Sequence, residues 1–234
     1  MRIALIGAME VEVQFLVEQI TDLQTKKIND FNFHLGKIEN IEVIVVKSGI
    51  GKTMSGILIG TLVSNFTNIT HIINVGVSGG VEGLEIGDVL IGSSYVYGDV
   101  DLTSAGDYAY GRMAGFPFIY PADQFLVNKA LLITDKIGTI CTTDQFMVDI
   151  LKVNRLINDH FSDIDIYAFD MESAAFAQAS YFFNIPFIAI RAISDIIGST
   201  KEEDKYDNNL DIASLNSNKF IIELLKQIAK KWIE

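Results

Sequence analysis

The residues of this sequence that are suited to chemistry are carboxylates and glycines that stand directly after apolar runs. Six segments have this position: Gly7–Glu12, Ser48–Gly51, Gly76–Gly80, Thr142–Phe146, Asp170–Glu172 and Ser194–Asp195. Among the carboxylates of these segments, the candidates for catalysis are Glu12, Glu172 and Asp195. Two carboxylates in different surroundings can divide the work, so that one activates water while the other protonates a leaving group. This division of roles suits hydrolysis of a glycosidic bond.

Each of these residues also has an ordinary structural explanation. Glu12 and Glu172 open helical segments, where the helix dipole favours an acid. Asp195 follows an apolar run and suits an N-cap or a turn. The glycines of Gly76–Gly80 let a backbone approach a ligand closely, but they lack the Lys-Ser/Thr of a phosphate loop, so a tight turn stays an open alternative.

The elements that must position these residues alternate along the chain. Apolar runs predict strands at Ile3–Ile6, Val43–Val46, His71–Val75, Val89–Ile91, Ile137–Cys141, Ile166–Phe169 and Phe187–Ile190. Helical periodicity predicts helices at Val11–Ile20, Lys52–Phe66, Met171–Phe183 and Ser217–Ile233. Strands without polar alternation indicate a sheet that is covered on both faces, and the alternation of elements predicts an α/β fold with a largely parallel sheet. In such sheets ligands bind beyond the carboxyl ends of the strands.

Residues 97–121 differ from the rest of the chain because they are rich in Gly, Tyr and Asp and show little periodicity. A long loop in a compact domain is usually functional or part of an interface. We expect one of these roles here.

Composition narrows the classes of function. The 234 residues carry 18 Lys and Arg against 30 Asp and Glu, a formal net charge of −12, which argues against binding to nucleic acid or anionic lipid. The length fits one domain, residues 1–234. The short apolar run after Arg2 ends at Glu10, which does not fit a signal peptide, and a single Cys fits the reducing cytoplasm. No apolar run approaches the roughly 20 residues of a membrane span.

The histidines, the cysteine and Arg191 are not expected to take part in the chemistry. The three histidines, His34, His71 and His160, lack the spacing of metal ligands, so no metal site is expected. Cys141 ends an apolar run and is expected in the core. Arg191 is expected to pair with an acid near the site.

Four motifs together carry a family resemblance: Met1–Val13, Lys47–Lys52, Asp170–Ala175 and Arg191–Asp195. They resemble the 5′-methylthioadenosine/S-adenosylhomocysteine nucleosidases, a branch of the nucleoside phosphorylase superfamily, and the resemblance runs from Arg2 to the last helix. It implies a three-layer α/β/α sandwich with a mixed, largely parallel central sheet. It also implies a homodimer that works without a metal or an organic cofactor.

The resemblance implies roles for the polar residues. Glu12 would activate the attacking water, and Asp195, supported by Ser194, would protonate adenine N7. Glu172 would bond the ribose hydroxyls, with Met171 packed on the sugar. The substrates would be methylthioadenosine and S-adenosylhomocysteine, with 5′-deoxyadenosine as a further candidate.

The resemblance also implies the apolar contacts of the substrate. Phe146 would stack on adenine and the backbone of Met147 would bond its edge. Ile50 and Tyr206 would line the pocket for the 5′-thio group, and Leu102 would reach the partner's site across the dimer.

The sequence departs from the family at the rim of this pocket. Where the family often has Gly-Ser-Ala-Gly-Gly, this chain has Val77 and Ser78, so the hydroxyl is displaced by one position. Thr142–Asp144 replaces the usual Ser-Gly-Asp. Ala105 stands where an aromatic residue is common, and Gly106-Asp107 suggests an insertion. Because these changes lie at the rim of the pocket, we expect them to affect which substrate is preferred rather than which reaction is catalysed.

Two other functions stay open at this point. A phosphorylase would use phosphate instead of water, but the chain has only Arg2, Arg112, Arg155 and Arg191, and arginine is the favoured partner of phosphate. A nucleoside-binding protein without turnover would need neither a water-activating base nor a proton donor.

Overall fold

The structure is a computed structural model that describes residues 1–81, 83–201 and 206–230. Its strands are β1 (Arg2–Gly7), β2 (Thr21–Ile28), β3 (Phe31–Ile38), β4 (Ile41–Lys47), β5 (His71–Gly80), β6 (Val89–Tyr97), β7 (Tyr120–Pro121), β8 (Ile137–Thr142), β9 (Ile166–Asp170) and β10 (Phe187–Ile196). Its helices are α1 (Glu10–Glu18), α2 (Lys52–Asn65), α3 (Gln124–Ala130), α4 (Ile150–His160), α5 (Ser173–Phe182) and α6 (Tyr206–Ala229).

Every strand and helix predicted from the sequence is present, whereas β2, β3, β7, α3 and α4 were not predicted. Strand β2 has exposed side chains along nearly its whole length and shows no apolar face, whereas α4 packs Ile150, Val153 and Ile157 against one cluster and does have one.

Helix α6 begins at Tyr206, well before the predicted start at Ser217. The prediction missed its first turns because small polar residues such as Ser214 occupy the buried face there and give no apolar period. Residues 231–233, the end of the predicted last helix, lie outside the described residues.

Three layers result from the burial of both faces of the sheet. In β1, Ala4 and Ile6 pack towards α2 and α5, whereas Ile3 and Leu5 pack towards α1, α3 and α6. This arrangement explains the apolar runs without alternation, since both sets of side chains are buried. The predicted α/β sandwich with a mixed central sheet is confirmed.

The sheet is parallel at its centre and closes on itself on one side. Strand β1 pairs in parallel with β4 and β5, and β5 pairs in parallel with β10. Strand β10 then pairs with β6, which leads through β8 and β9 back to β5 by an antiparallel contact at Gly79 and Gly80. These five strands form a ring, and the sequence alone did not indicate this closure.

A register shift in β10 lies at the edge where the site is expected. Ile193 pairs with Ser78 and Asp195 pairs with Gly79, so Ser194 is the extra residue between them. A bulge of this kind bends the strand and re-aims the side chains beside it.

The segment between β6 and β7 has the expected irregular character. It contains one short 3-10 turn, Thr103–Ala105, and otherwise no regular element. Within the described ranges, no helix is both long and apolar enough to cross a membrane.

Candidate active site

A cavity of about 290 Å³ opens at the carboxyl ends of β1, β5, β8, β9 and β10. Eleven of the twelve predicted site residues line it: Glu12, Ile50, Val77, Ser78, Phe146, Met147, Met171, Glu172, Ser194, Asp195 and Tyr206. Six further lining residues had no predicted role: Ala8, Met9, Gly79, Gln145, Phe169 and Asp170. The twelfth predicted residue, Leu102, lies in the loop after β6 and is not among the lining residues.

Glu12 is held by backbone donors in the first turn of α1. Its Oε2 accepts the N–H groups of Ala8 at 2.7 Å and Met9 at 2.9 Å, and its Oε1 accepts the Val77 N–H at 3.1 Å. The residue is 3% exposed. Burial raises the pKa of Glu12 above its ordinary value, while the Arg191 charge and the backbone donors oppose this rise. Such a carboxylate is fixed in place and more basic than one in water.

Asp195 is placed by the bulge of β10 so that it faces the cavity. The Ser194 hydroxyl donates to its Oδ1 at 2.8 Å, and its Oδ2 lies against Gly79, where an added Cβ would be 3.0 Å away. Burial raises the pKa of Asp195, and the Ser194 hydrogen bond opposes the rise by stabilising the ionised form. Asp195 is therefore better able than a solvated aspartate to hold a proton near neutral pH.

Glu172, the residue directly before α5, is the third carboxylate of the site. Its Oε1 accepts the Gly51 N–H at 2.9 Å, and its Oε2 lies 3.8 Å from Arg191 Nη2. Burial raises the pKa of Glu172, the Asp170 charge adds to the rise, and the Arg191 charge opposes it. The expected common placement of Glu12, Glu172 and Asp195 is therefore what the tertiary structure produces.

A buried network supports these carboxylates from behind. Arg191 is 1% exposed and donates to Asp170 Oδ2 through Nη2 at 2.8 Å and Nε at 3.0 Å, which confirms its predicted pairing with an acid. Asp170 also accepts from Thr142 Oγ1 at 2.6 Å and from Ser173, while Asn74 Oδ1 accepts from Arg191. No supporting role was predicted for Asn74, which lies inside an apolar run, or for Thr142, which directly follows one.

Aromatic and aliphatic side chains form the opposite wall. The Phe146 and Tyr206 rings meet edge-on, with centroids 5.3 Å apart, and the Tyr206 hydroxyl donates to Met9 Sδ at 3.5 Å. Burial, followed by the Glu12 and Asp195 charges, raises the pKa of Tyr206 to about 12. Phe146 and Ile50 are each 55% exposed, so the mouth of the cavity is apolar and open.

Val77 and Ser78 face different surroundings, as neighbours on a strand must. The Val77 side chain packs with Ala192 and Ala213 beneath α6. Ser78 is 4% exposed, and its Oγ has no hydrogen-bond partner within the described ranges. A buried hydroxyl without a partner is costly, so a group that enters the cavity is the natural candidate to satisfy it.

The lining is acidic and apolar. Among the described residues, no Lys or Arg side chain lines the cavity, since Arg191 lies behind the carboxylates and is paired with Asp170. Arg2 binds Glu42 near the start of β1, at the other end of that strand from the site. In the part of the chain that the structure describes, no cluster of three or more His, Cys, Asp or Glu residues is arranged to hold a metal.

Comparison with known proteins agrees with this geometry. The chain matches the model of the phosphorylase superfamily over residues 2–226. The 5′-methylthioadenosine/S-adenosylhomocysteine nucleosidase of Bacillus subtilis (strain 168) is 39% identical over 236 residues, covering 97% of this chain and 100% of the relative. The Streptococcus pneumoniae nucleosidase, solved with a transition-state inhibitor, has a TM-score of 0.89 at 34% identity and covers 97% and 100% of the two chains. The Colwellia psychrerythraea 34H nucleosidase, solved with adenine, has a TM-score of 0.88 at 32% identity, with 97% and 95% covered.

Proposed function

Because this chain belongs to the phosphorylase superfamily and, within it, to the methylthioadenosine/S-adenosylhomocysteine nucleosidases, we propose that it releases adenine from these two nucleosides by hydrolysis. The observation that carries the proposal is a cavity in which Glu12, Glu172 and Asp195 meet without a cationic residue among the described lining. Residues 1–234 act as a single nucleosidase domain, and 5′-deoxyadenosine is a further candidate substrate.

Glu12 is the base that activates water. Its Oε1 accepts a single backbone N–H among the described contacts, from Val77, and so has capacity left to accept a hydrogen bond from a water molecule. Its raised pKa makes it a stronger acceptor of the proton that water loses. The backbone donors of Ala8 and Met9 hold the other oxygen, which fixes the direction of attack.

Asp195 is the acid that protonates adenine N7 as the glycosidic bond breaks. Adenine leaves poorly as an anion, so a proton at N7 lowers the barrier to its departure. The raised pKa of Asp195 favours the protonated form that this step consumes. Activity is lost towards acid pH as Glu12 gains a proton and towards alkaline pH as Asp195 loses one.

Glu172 binds the ribose hydroxyls and faces the sugar as positive charge develops on it. An anion at this position stabilises an oxocarbenium-like transition state. Its anchoring by the Gly51 N–H and by the charge of Arg191 keeps the carboxylate in place before the substrate arrives. Met171 packs on the same sugar.

The remaining subsites follow from the apolar wall. Phe146 stacks on adenine, and the backbone of Met147 bonds its edge. Ile50 and Tyr206 bind the 5′-thio substituent at the open mouth, where a longer substituent can extend into solvent. Val77 contributes its backbone and Ser78 its unpartnered hydroxyl, which is a candidate for a water or substrate contact.

Release of adenine with and without phosphate tests the reaction class. The protein is incubated with methylthioadenosine in phosphate-free buffer and in buffer with added phosphate, and adenine and the sugar product are separated and identified. Hydrolysis predicts equal rates and a sugar without phosphate. A rate that requires phosphate, or a sugar 1-phosphate as product, would show a phosphorylase instead. Binding without adenine release would indicate a nucleoside-binding protein.

A homodimer is the expected assembly. Helices α2 and α5 pack side by side and leave large apolar side chains exposed, with Ile57 at 50%, Tyr181 at 56% and Phe182 at 65%. An apolar face of this kind is typical of a subunit interface. The long loop packs on the same face, because the Phe116 ring lies 6.4 Å from that of Tyr181, and Leu102 in this loop would reach the partner's site.

Sedimentation of the native protein and of Phe182→Glu measures this assembly. The dimer predicts twice the monomer mass for the native chain and dissociation of the variant, with loss of activity if Leu102 serves the partner. A native monomer with full activity would refute it. The expected location is the cytoplasm, which fits the single Cys of the sequence.

A further inference from the structure

Three residues from separate segments form a closed cluster beside the cavity. The Lys52 Nζ lies 2.6 Å from Asp99 Oδ1 and 3.5 Å from Asp144 Oδ2. The Lys52 backbone N–H donates to Asp144 Oδ1 at 3.0 Å, and the Asp144 N–H donates to Asp99 Oδ2 at 2.8 Å. The cluster therefore joins the start of α2, the loop after β6 and the loop after β8.

The Lys52–Asp99 pair at the centre of the cluster is largely shielded from solvent, unlike an ordinary surface ion pair. The Lys52 side chain is 19% exposed and that of Asp99 is 16% exposed, whereas Asp144 at the rim is 51% exposed, and the ammonium lies 5.4 Å from the centre of the Tyr97 ring. Partly buried charge pairs are screened less by water and salt than surface pairs. Several hydrogen bonds that share the same groups also fix geometry better than one pair does.

Two members of the cluster, Lys52 and Asp144, are close in sequence to residues that line the active site. Gly51 precedes Lys52 and donates its N–H to Glu172, the carboxylate assigned to the ribose. Asp144 precedes Phe146 and Met147 by two and three residues, and these are the residues assigned to adenine. Gly51 has a φ of 95°, and a Cβ there would lie 3.3 Å from Asp144 Oδ1, so the two segments are in close contact.

From this geometry we propose that Lys52, through Asp99 and Asp144, is a positioning residue that fixes the adenine-binding loop relative to the ribose-binding carboxylate. The inference rests on the proposed function, because it takes Phe146, Met147 and Glu172 as substrate contacts. Lys52 itself does not line the cavity and takes no part in proton transfer. Its effect is on how well the two halves of the nucleoside are bound at once.

Lys52→Met tests this role with Lys136→Met as a matched control. Lys136 pairs with Asp88 just before β8 and β6, and neither residue lines the cavity or belongs to the segments that carry Glu172, Phe146 and Met147. Both substitutions break a lysine–aspartate pair and keep an unbranched side chain. Only the first one loosens the loop that carries Phe146.

The expected result is a rise of about tenfold in KM for methylthioadenosine and in the Kd for adenine measured by calorimetry, for Lys52→Met alone. Misplacement of binding groups by about 1 Å lowers efficiency by up to about 10²-fold, so a tenfold effect corresponds to a smaller displacement. The acid and alkaline limbs of the pH profile keep their positions, because Glu12 and Asp195 are not in the cluster. Lys52→Arg, which keeps the charge, recovers most of the binding.

One further variant, Asp99→Asn, keeps the test decisive. Asp99→Asn preserves shape while it weakens the pair, and it should raise KM in the same direction if Lys52→Met does not fold. A merely structural role would lower the melting temperature of Lys52→Met but leave KM and the adenine Kd equal to those of Lys136→Met, which would overturn the inference. Failure of the native protein to release adenine would instead overturn the proposed function.

Discussion

Replacing Gly76 by alanine tests whether the position of Glu12 sets the rate. A Cβ at Gly76 would lie 2.5 Å from Glu12 Oε1 and 2.8 Å from Arg191 Nη1. Ordinary contact begins at 3.4 Å, so the Glu12 oxygen must withdraw by about 0.9 Å and the guanidinium by about 0.6 Å. The hydrogen bond from the Val77 N–H to that oxygen, 3.1 Å long, would be lost or redirected.

The magnitude follows from this displacement. A shift of about 1 Å in a catalytic group costs roughly 10²-fold in rate, which is about 2.7 kcal/mol of transition-state stabilisation. Overpacking of the core costs roughly 1–3 kcal/mol of folding free energy in addition. We therefore expect Gly76→Ala to fold with reduced stability and to have a kcat about 100-fold below that of the native protein.

The assay is the initial rate of adenine release at saturating methylthioadenosine, with urea unfolding measured in parallel. Gly92→Ala is the control, because a Cβ there would lie 2.6 Å from Tyr95 Cε1 and 2.9 Å from Ile140 Cδ1, away from the cavity. It should lose stability to a similar degree and keep its kcat. If Gly76→Ala keeps a native kcat, or if Gly92→Ala loses as much, Glu12 is not the positioned base that we propose.

Three further predictions concern the same group of residues. Asp195→Asn should lower kcat by about 10²–10⁴-fold while nucleoside binding measured by calorimetry stays within a few-fold, and substantial remaining turnover would refute the acid assignment. Ser194→Ala removes a hydrogen bond that lowers the pKa of Asp195, so Asp195 stays protonated to higher pH. The alkaline limb of kcat/KM should move to higher pH, and an unchanged limb would show that Asp195 does not control it. Arg191→Met should lower the free energy of unfolding by about 3–5 kcal/mol in urea, because it leaves the buried Asp170 charge unpaired, and a loss below 1 kcal/mol would contradict this.

Strong patterns in the sequence were enough to predict the central part of the fold. The apolar runs at β1, β4 and β5 were recognisable because both faces of these strands are buried, as Ile3 to Ile6 show. Strand β2 was missed because its side chains are exposed along nearly its whole length, and an exposed segment carries no hydrophobic period. Strand β3, which buries Phe31 and Phe33, and helix α4, which packs Ile150, Val153 and Ile157 on one face, do carry a pattern that the prediction did not use.

The sequence by itself determined which residue types are available at the carboxyl ends of the strands, and the family motifs pointed to Glu12, Glu172 and Asp195. It did so because strand ends can be read from apolar runs, and parallel strands end at the same edge. Tertiary structure decided how those carboxylates are tuned. Burial raises the pKa of all three, and the charge of Arg191 on β10 opposes the rise for Glu12 and Glu172.

The supporting contacts also depend on the tertiary structure. Lys52, Asp99 and Asp144 are far apart in sequence and meet only because β6 and β8 bring their loops to the start of α2. The bulge that aims Asp195 arises from the pairing of β10 with β5. Contacts between residues distant in sequence produce no local period or spacing in the sequence. The sequence therefore shows which residue types are available, and the tertiary structure determines how they are arranged.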